Sequence, residues 1–351
     1  MPIPEDQLES FRERVIGAKR PLIFYDDDSD GLCSYLLCLH ARGEALGVRI
    51  QQSATVMPEQ LRKIEENAPD LIVVLDKPYI HADFIAGAQV PIVWLDHHEP
   101  QTVPGNVTYY NPRVGDNEDN RCTTYWVWKA LGKPEDLWIA AIGSISDWQL
   151  TDIADAFYEQ YPDILPRVNS PPEALFGAHR FGDLCRIFQF NLKGEASEVR
   201  TAIRILGRIT DPYELLEHST PRAKLLYKRY VLVAREYERL LQLARSKAGT
   251  GPVLFCMYPH VEISLLAEVS NHLVHDYPEK LIFVAREHNG EVKLSLRSGG
   301  NYDVAAAVKS AMSEDIRGNA GGHTHACGGN IKLEDFPRFK ALLLTHLGLN
   351  G

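Results

Sequence analysis

Four places in this chain carry residue types that could do chemistry together. Asp26-Asp27-Asp28-Ser29-Asp30-Gly31 follows the apolar run PLIFY, and Asp76 follows LIVVL. Asp96-His97-His98 follows PIVWL, and Asp147 closes the apolar, small-residue stretch AAIGSIS. Carboxylate oxygens mixed with imidazole nitrogen suit Mn²⁺, with Mg²⁺, Co²⁺ or Fe²⁺ as alternatives. Two such cations about 3.5–4 Å apart can share a hydroxide and clamp both sides of an in-line displacement at phosphorus. Holding them that close takes a bridging carboxylate and several further anionic ligands. Five aspartates (26, 28, 30, 76 and 147) and a histidine meet that demand. Each piece alone also has an ordinary reading: an acidic turn with a helix cap, a turn-forming aspartate, a polar helix end. An Asp-His-His run directly after an apolar strand is much rarer. Delivery from three strand ends makes a binuclear centre the economical explanation.

Such residues need a frame that gathers strand ends. The runs at 21–25, 71–75 and 91–95 are continuously apolar and of strand length, as expected for a parallel sheet buried on both faces. The more polar run at 48–54 is a further strand candidate, and 32–44, 58–66 and 80–86 read as helices between strands. Strands alternating with short helices define a doubly wound α/β domain, which collects ligands at the carboxyl ends of its strands. Gly31 lets the chain turn from the first strand into its helix. Two helices are expected from Cys122 to about residue 150, with Thr123 and Thr124 placed for capping. The pattern from roughly 195 to 247 is helical, with 222–247 as one long helix that Gly249–Pro252 breaks. A smaller α/β unit follows: strand, helix, two strands, helix, a glycine-rich loop, the strand NIKL and a last helix. The expected division is 1–190, a helical linker 191–248, and 249–351.

Composition narrows the class. The chain has 351 residues, 45% hydrophobic and 24% charged, as in ordinary globular proteins. No apolar run approaches the roughly 20 residues of a membrane helix, and the acidic N-terminus lacks a signal-peptide pattern, so a cytoplasmic location without a membrane partner is expected. The six cysteines form no CxxC pair, which points to buried free thiols. A net charge of −10 leans toward a small substrate rather than a long nucleic-acid backbone.

Taken together, these motifs resemble the DHH phosphoesterase superfamily over most of the chain. DDDSDG is similar to its first motif in the form found in RecJ-type nucleases, Asp76 to the second, Asp96-His97-His98 to the name-giving third, and Asp147 to the fourth. Late in the chain, Gly321-Gly322-His323 is similar to the glycine-histidine loop of a DHHA1 domain, and SLRS to the strand end that supplies its Arg297 and the adjacent Ser298. The segment reads GNAGGH and lacks the fuller three-glycine form. The resemblance implies a DHH catalytic domain joined by a helical linker to a DHHA1 substrate-binding domain. It implies that Asp26, Asp28 and Asp76 hold one metal, and that Asp30, Asp76, His97 and Asp147 hold the second. Asp96 would orient the neighbouring imidazoles. His98 would lie against the substrate phosphate, with Asp76 and His97 in the same reaction centre. Arg297, Ser298, Gly321, Gly322 and His323 would grip a substrate phosphate.

The leading expectation is hydrolysis of short oligonucleotides or linear dinucleotides to mononucleotides by a two-metal-activated hydroxide. A closed cleft between the two domains would admit only a short substrate. A RecJ-like exonuclease on single-stranded nucleic acid is the second reading. It is favoured by the form of the first motif and by Lys224, Lys228, Arg235 and Arg239 with Tyr227 and Tyr230 along the long helix. Against it, Glu236 and Glu238 suggest a solvated face, and no segment is left for the OB-fold of full RecJ-type enzymes. A phosphatase acting on a 3′,5′-bisphosphate nucleotide is a variant of the first reading. A catalytically silent nucleotide-binding protein comes last, because the ligand set is complete. Relatives often pair into homodimers, although no interface is marked in the sequence.

Overall fold

The structure is a computed structural model and describes residues 2–51, 53–259, 263–312 and 315–349. It comprises two compact units, Met1–Lys228 and Arg229–Gly351. No helix among the described residues is long and apolar enough to cross a membrane.

The first unit is built on five strands: β1 (Pro21–Asp26), β2 (Leu46–Ile50), β3 (Leu71–Leu75), β4 (Ile92–Leu95) and β5 (Val107–Tyr110). They form one sheet in the order β2-β1-β3-β4-β5, and every pairing in it is parallel. Burial on both faces explains the unbroken apolar runs. Leu22, Phe24, Ile72, Val74, Ile92 and Trp94 join one core cluster, while Ile23, Val73 and Val93 are equally buried on the opposite face. The two edges are less apolar. β2 begins at Leu46 and stops at Ile50, short of the polar run's end, and β5 is a strand the sequence reading did not pick out. Its central Thr108 and Tyr109 are only half-buried, which hides the usual signal.

Helix α1 (Ser29–Arg42) follows β1, and α2 (Thr123–Leu131) and α3 (Leu137–Ser146) follow β5. A run of helices then extends from Asp152 to Leu216, and α4 (Pro221–Arg245) carries the chain across the unit boundary. All six cysteines are buried and unpaired.

The second unit contains β6 (Val253–Tyr258), α5 (Leu266–Asp276), β7 (Leu281–His288), β8 (Glu291–Ser298), α6 (Val304–Met312), β9 (Gly318–His323), β10 (Ala326–Lys332) and α7 (Phe336–His346). Its sheet runs β9-β10-β8-β7-β6, parallel only between β6 and β7. Leu281, Phe283, Leu294, Leu296, Val308, Phe339 and Leu343 are among the residues of its core. The expected glycine-rich loop is in fact the edge strand β9, hairpinned onto β10, which starts well before NIKL. Glycine disguises a strand because it offers no side chain to alternate. Here it is needed: Gly322 has φ 150°, and a Cβ on it would lie 2.3 Å from the carbonyl oxygen of Ala326.

Candidate metal centre

The register of the first sheet lines up the acidic residues. Tyr25 pairs with Leu75, Leu75 with Leu95, and Leu95 with Tyr110. Asp26, Asp76, Asp96 and Asn111 therefore all follow the same rung. The ladder continues through it, with Asp76 N–H donating to Leu95 O and Asp96 N–H to Tyr110 O, both at 3.1 Å. Asp76 takes a left-handed backbone conformation, φ 58°, which bends the chain away directly after the strand.

The first motif is shaped by the turn into α1. Asp28 caps the helix, accepting from Gly31 N–H at 2.9 Å. A Cβ at Gly31 would stand 2.5 Å from the carbonyl oxygen of Asp26, so only glycine permits this approach. Asp27 turns elsewhere and pairs with Arg49 at 2.6 Å. The alternate residues Asp26, Asp28 and Asp30 are the ones that reach the centre. Helix α2 is capped by Asp30 rather than by its own threonines. The Asp30 carboxylate accepts from Thr123 N–H at 2.9 Å and Thr124 N–H at 2.6 Å. The Thr123 hydroxyl donates to Asp76 at 3.2 Å, and that of Thr124 to the Asp30 carbonyl at 2.9 Å.

Donor atoms gather in overlapping groups, each within 4.8 Å: Asp26, Asp28 and Asp76; Asp30, His97 and Asp147; Asp76, His97 and His98. His97 Nε2 lies 3.5 Å from Asp76, 3.9 Å from Asp30 and 4.0 Å from Asp147. Its Nδ1 faces the Asn120 carbonyl at 3.2 Å. A carbonyl only accepts, so the neutral ring carries its proton on Nδ1 and directs Nε2 at the carboxylates. Asp96, fully buried, holds His98 instead, through Nδ1 at 2.7 Å and the backbone N–H at 3.0 Å. It therefore orients the His98 ring, while the His97 ring is oriented by Asn120.

The electrostatics are those of an anion cluster short of positive charge. Asp28 keeps an open face to solvent, yet the surrounding protein desolvates it and, with Asp26 and Asp30 nearby, raises its pKa to about 6. Burial and the charges of Asp30, Asp28, Asp26 and Asp147 push the Asp76 carboxyl well above its ordinary range. Burial raises Asp147 as well, against the pull of His97. Burial acts to lower the His97 pKa, but Asp147, Asp30 and Asp96 outweigh it and raise it. The sequence reading missed Lys77, whose fully buried ammonium donates to Asp26 at 2.8 Å and to the Ser53 carbonyl. A lysine directly after a strand-end aspartate was the available signal. Lys77 offsets one charge among five carboxylates. The remaining deficit, the oxygen-rich donor set and the imidazole fit divalent cations of the Mn²⁺ or Mg²⁺ type.

In the second unit, Arg297 and His323 both pair with Ala326 of β10, from opposite sides. They occupy one rung two strands, about 10 Å, apart. The half-buried Arg297 guanidinium donates to Asn271 at 2.7 Å and to the Cys327 carbonyl at 3.2 Å, and the protein packed around it lowers its pKa. His323 is exposed. Gly321 and Gly322 lie beside it on the edge strand, with open space over Gly321. The Ser298 hydroxyl oxygen accepts from Gly300 and Tyr302 N–H groups and so builds the following turn.

Comparison with known proteins agrees with this architecture. Residues 252–347 match the DHHA1 domain family. No curated protein matches the sequence. Among solved structures, RecJ of Thermus thermophilus in complex with Mn²⁺ superposes with a TM-score of 0.72 at 16% identity over 100% of this chain and 56% of its own. The chain thus spans little more than half the length of that protein. A manganese-bound exonuclease RecJ gives a TM-score of 0.62 at 16% identity, covering 100% of this chain and 96% of its own. A DHH domain from a protein described as a member of a family of ribosomal proteins gives 0.67 at 13% identity, covering 99% and 90%. The parallel-sheet unit followed by a smaller mixed-sheet unit is the DHH–DHHA1 fold. The second unit thus carries the DHHA1 family match, and the chain as a whole shares its fold with these solved structures.

Proposed function

We propose that the chain is a metal-dependent phosphodiesterase that hydrolyses short oligonucleotides or linear dinucleotides to mononucleotides. The observation that carries this reading is the pair of donor groups, Asp26–Asp28–Asp76 and Asp30–His97–Asp147, set side by side around Asp76. Asp26, Asp28 and Asp76 would hold one cation, and Asp30, Asp76, His97 and Asp147 the other. Cations bound there would supply an activated water and neutralise charge at the phosphoryl group, with Mn²⁺ the best fit to the donors.

The chain's own residues complete the arrangement. Asp96 accepts the Nδ1 proton of His98 and turns the opposite ring edge outward, where it would contact a phosphate oxygen. Arg297, His323 and the edge-strand backbone at Gly321 and Gly322 would bind a substrate phosphate. Ser298 would hold the turn beside them.

Two observations favour short substrates over long single strands. The net charge is −10. Along α4, Arg239 is tied to Glu236 at 2.6 Å and Tyr227 stacks on His218 at 3.5 Å, so these groups have intramolecular partners. The test is digestion, with Mn²⁺, of end-labelled RNA and DNA from dinucleotides upward, with a 3′,5′-bisphosphate nucleotide alongside. Strong preference for the shortest substrates is expected. Length-tolerant digestion would replace this reading with a RecJ-like exonuclease, and hydrolysis of the bisphosphate alone with a phosphatase.

A further inference from the structure

The end of α3 fixes two side chains at once. Trp148 N–H donates to Ile145 O at 3.0 Å, and Gln149 N–H to Ser144 O at 3.1 Å. These are the paired bonds of a Schellman helix end. Trp148 occupies the left-handed position, φ 62°, that glycine usually fills. Asp147 lies one residue before this turn and Gln149 one after it, so the closure holds both.

The Gln149 amide then makes three hydrogen bonds. Its Oε1 accepts from Cys122 N–H at 2.8 Å. Its Nε2 donates to the Asn120 carbonyl at 2.6 Å and to Asp147 Oδ2 at 3.0 Å. One partner is a donor and the other two are acceptors, so the network itself sets which way the amide points. The Asn120 oxygen is the same one that faces His97 Nδ1.

We infer that Gln149 is a positioning residue for one cation of the pair. A single amide ties the carbonyl that sets the His97 tautomer to the carboxylate of Asp147, so both ligands are presented together. It makes no hydrogen bond to Asp26, Asp28 or Asp76 among the described residues, and their group is assembled by the β1 turn, Lys77 and Thr123. The inference rests on the two-metal reading above.

The test is an Mn²⁺ titration read by electron paramagnetic resonance, which counts free ion, on the full chain and on Gln149→Met. The intact chain is expected to bind two cations. Gln149→Met should keep one at its original affinity and bind the other about 10–100-fold more weakly. A general loosening of the fold would weaken both, so equal weakening overturns the inference, as does unchanged binding of both. If Gln149→Met does not fold, Gln149→Glu replaces it. That variant keeps the acceptor for Cys122 N–H and sets an anionic oxygen against the Asn120 carbonyl and the Asp147 carboxylate, so both ligands lose their tether and the same selective loss is expected. An unaltered chain that binds fewer than two cations overturns the two-metal reading itself, before any variant is compared.

Discussion

Asp76 is the residue on which the centre turns. It is 2% exposed, follows a central strand, groups with Asp26 and Asp28 on one side, and lies 3.5 Å from His97 on the other. Loss of a residue that only orients a ligand typically costs 10–100-fold in metal affinity or activity, and Asp76 is itself a proposed shared ligand. Asp76→Asn, nearly isosteric, should therefore lower phosphodiesterase activity by more than about 100-fold while the protein stays folded. Steady-state assays beside circular dichroism check this. Protonation supplies a second prediction at this scale. The carboxyls of Asp28, Asp76 and Asp147 all have raised pKa values, that of Asp28 about 6. At a pH of about 5 a cation must displace the Asp28 proton, which is largely gone at about 7.5. Calorimetric Mn²⁺ titration should show weaker binding at the lower pH, with protons released. Affinity that is flat between these values would contradict the clustered-carboxylate picture.

At the scale of elements, the strand ends were legible because three central strands are buried on both faces and write themselves as unbroken apolar runs. The acids that follow them stand out for the same reason. What escaped was set by partners distant in sequence. Asp30 caps a helix through Thr124, 94 positions along the chain. Gln149 meets the Asn120 carbonyl 29 positions back. Neither pairing leaves a local pattern. The β9–β10 hairpin escaped because its glycines carry no alternation, and β5 because its half-buried middle dilutes the apolar signal. Backbone geometry gives this scale its predictions. Gly31→Ala forces a Cβ to 2.5 Å from the Asp26 carbonyl. It should destabilise the protein by about 1–3 kcal/mol and weaken Mn²⁺ binding, because the turn that closes also aims Asp26 and Asp28. Gly322→Ala, at φ 150° on the edge strand, should lower thermal stability and raise KM more than it lowers kcat, if β9 serves substrate binding alone. Melting curves and paired kinetic constants decide both.

Across the whole molecule, the division of labour follows chemistry. One unit concentrates carboxylates at the carboxyl ends of its central strands, while the other aligns Arg297 and His323 on a single rung. The binding of cations should stabilise the chain as a ligand does, since only the folded sheet brings these strand ends together. Chelation should accordingly lower the melting temperature, and added Mn²⁺ should restore it. The central claim, however, is that two cations share Asp76. Its most direct test is a crystal structure grown with Mn²⁺ and measured for anomalous scattering at the manganese edge. Two peaks about 3.5–4 Å apart are expected, one among Asp26, Asp28 and Asp76 and the other among Asp30, His97, Asp147 and Asp76. A single peak, or manganese bound elsewhere with these side chains unengaged, would contradict the account.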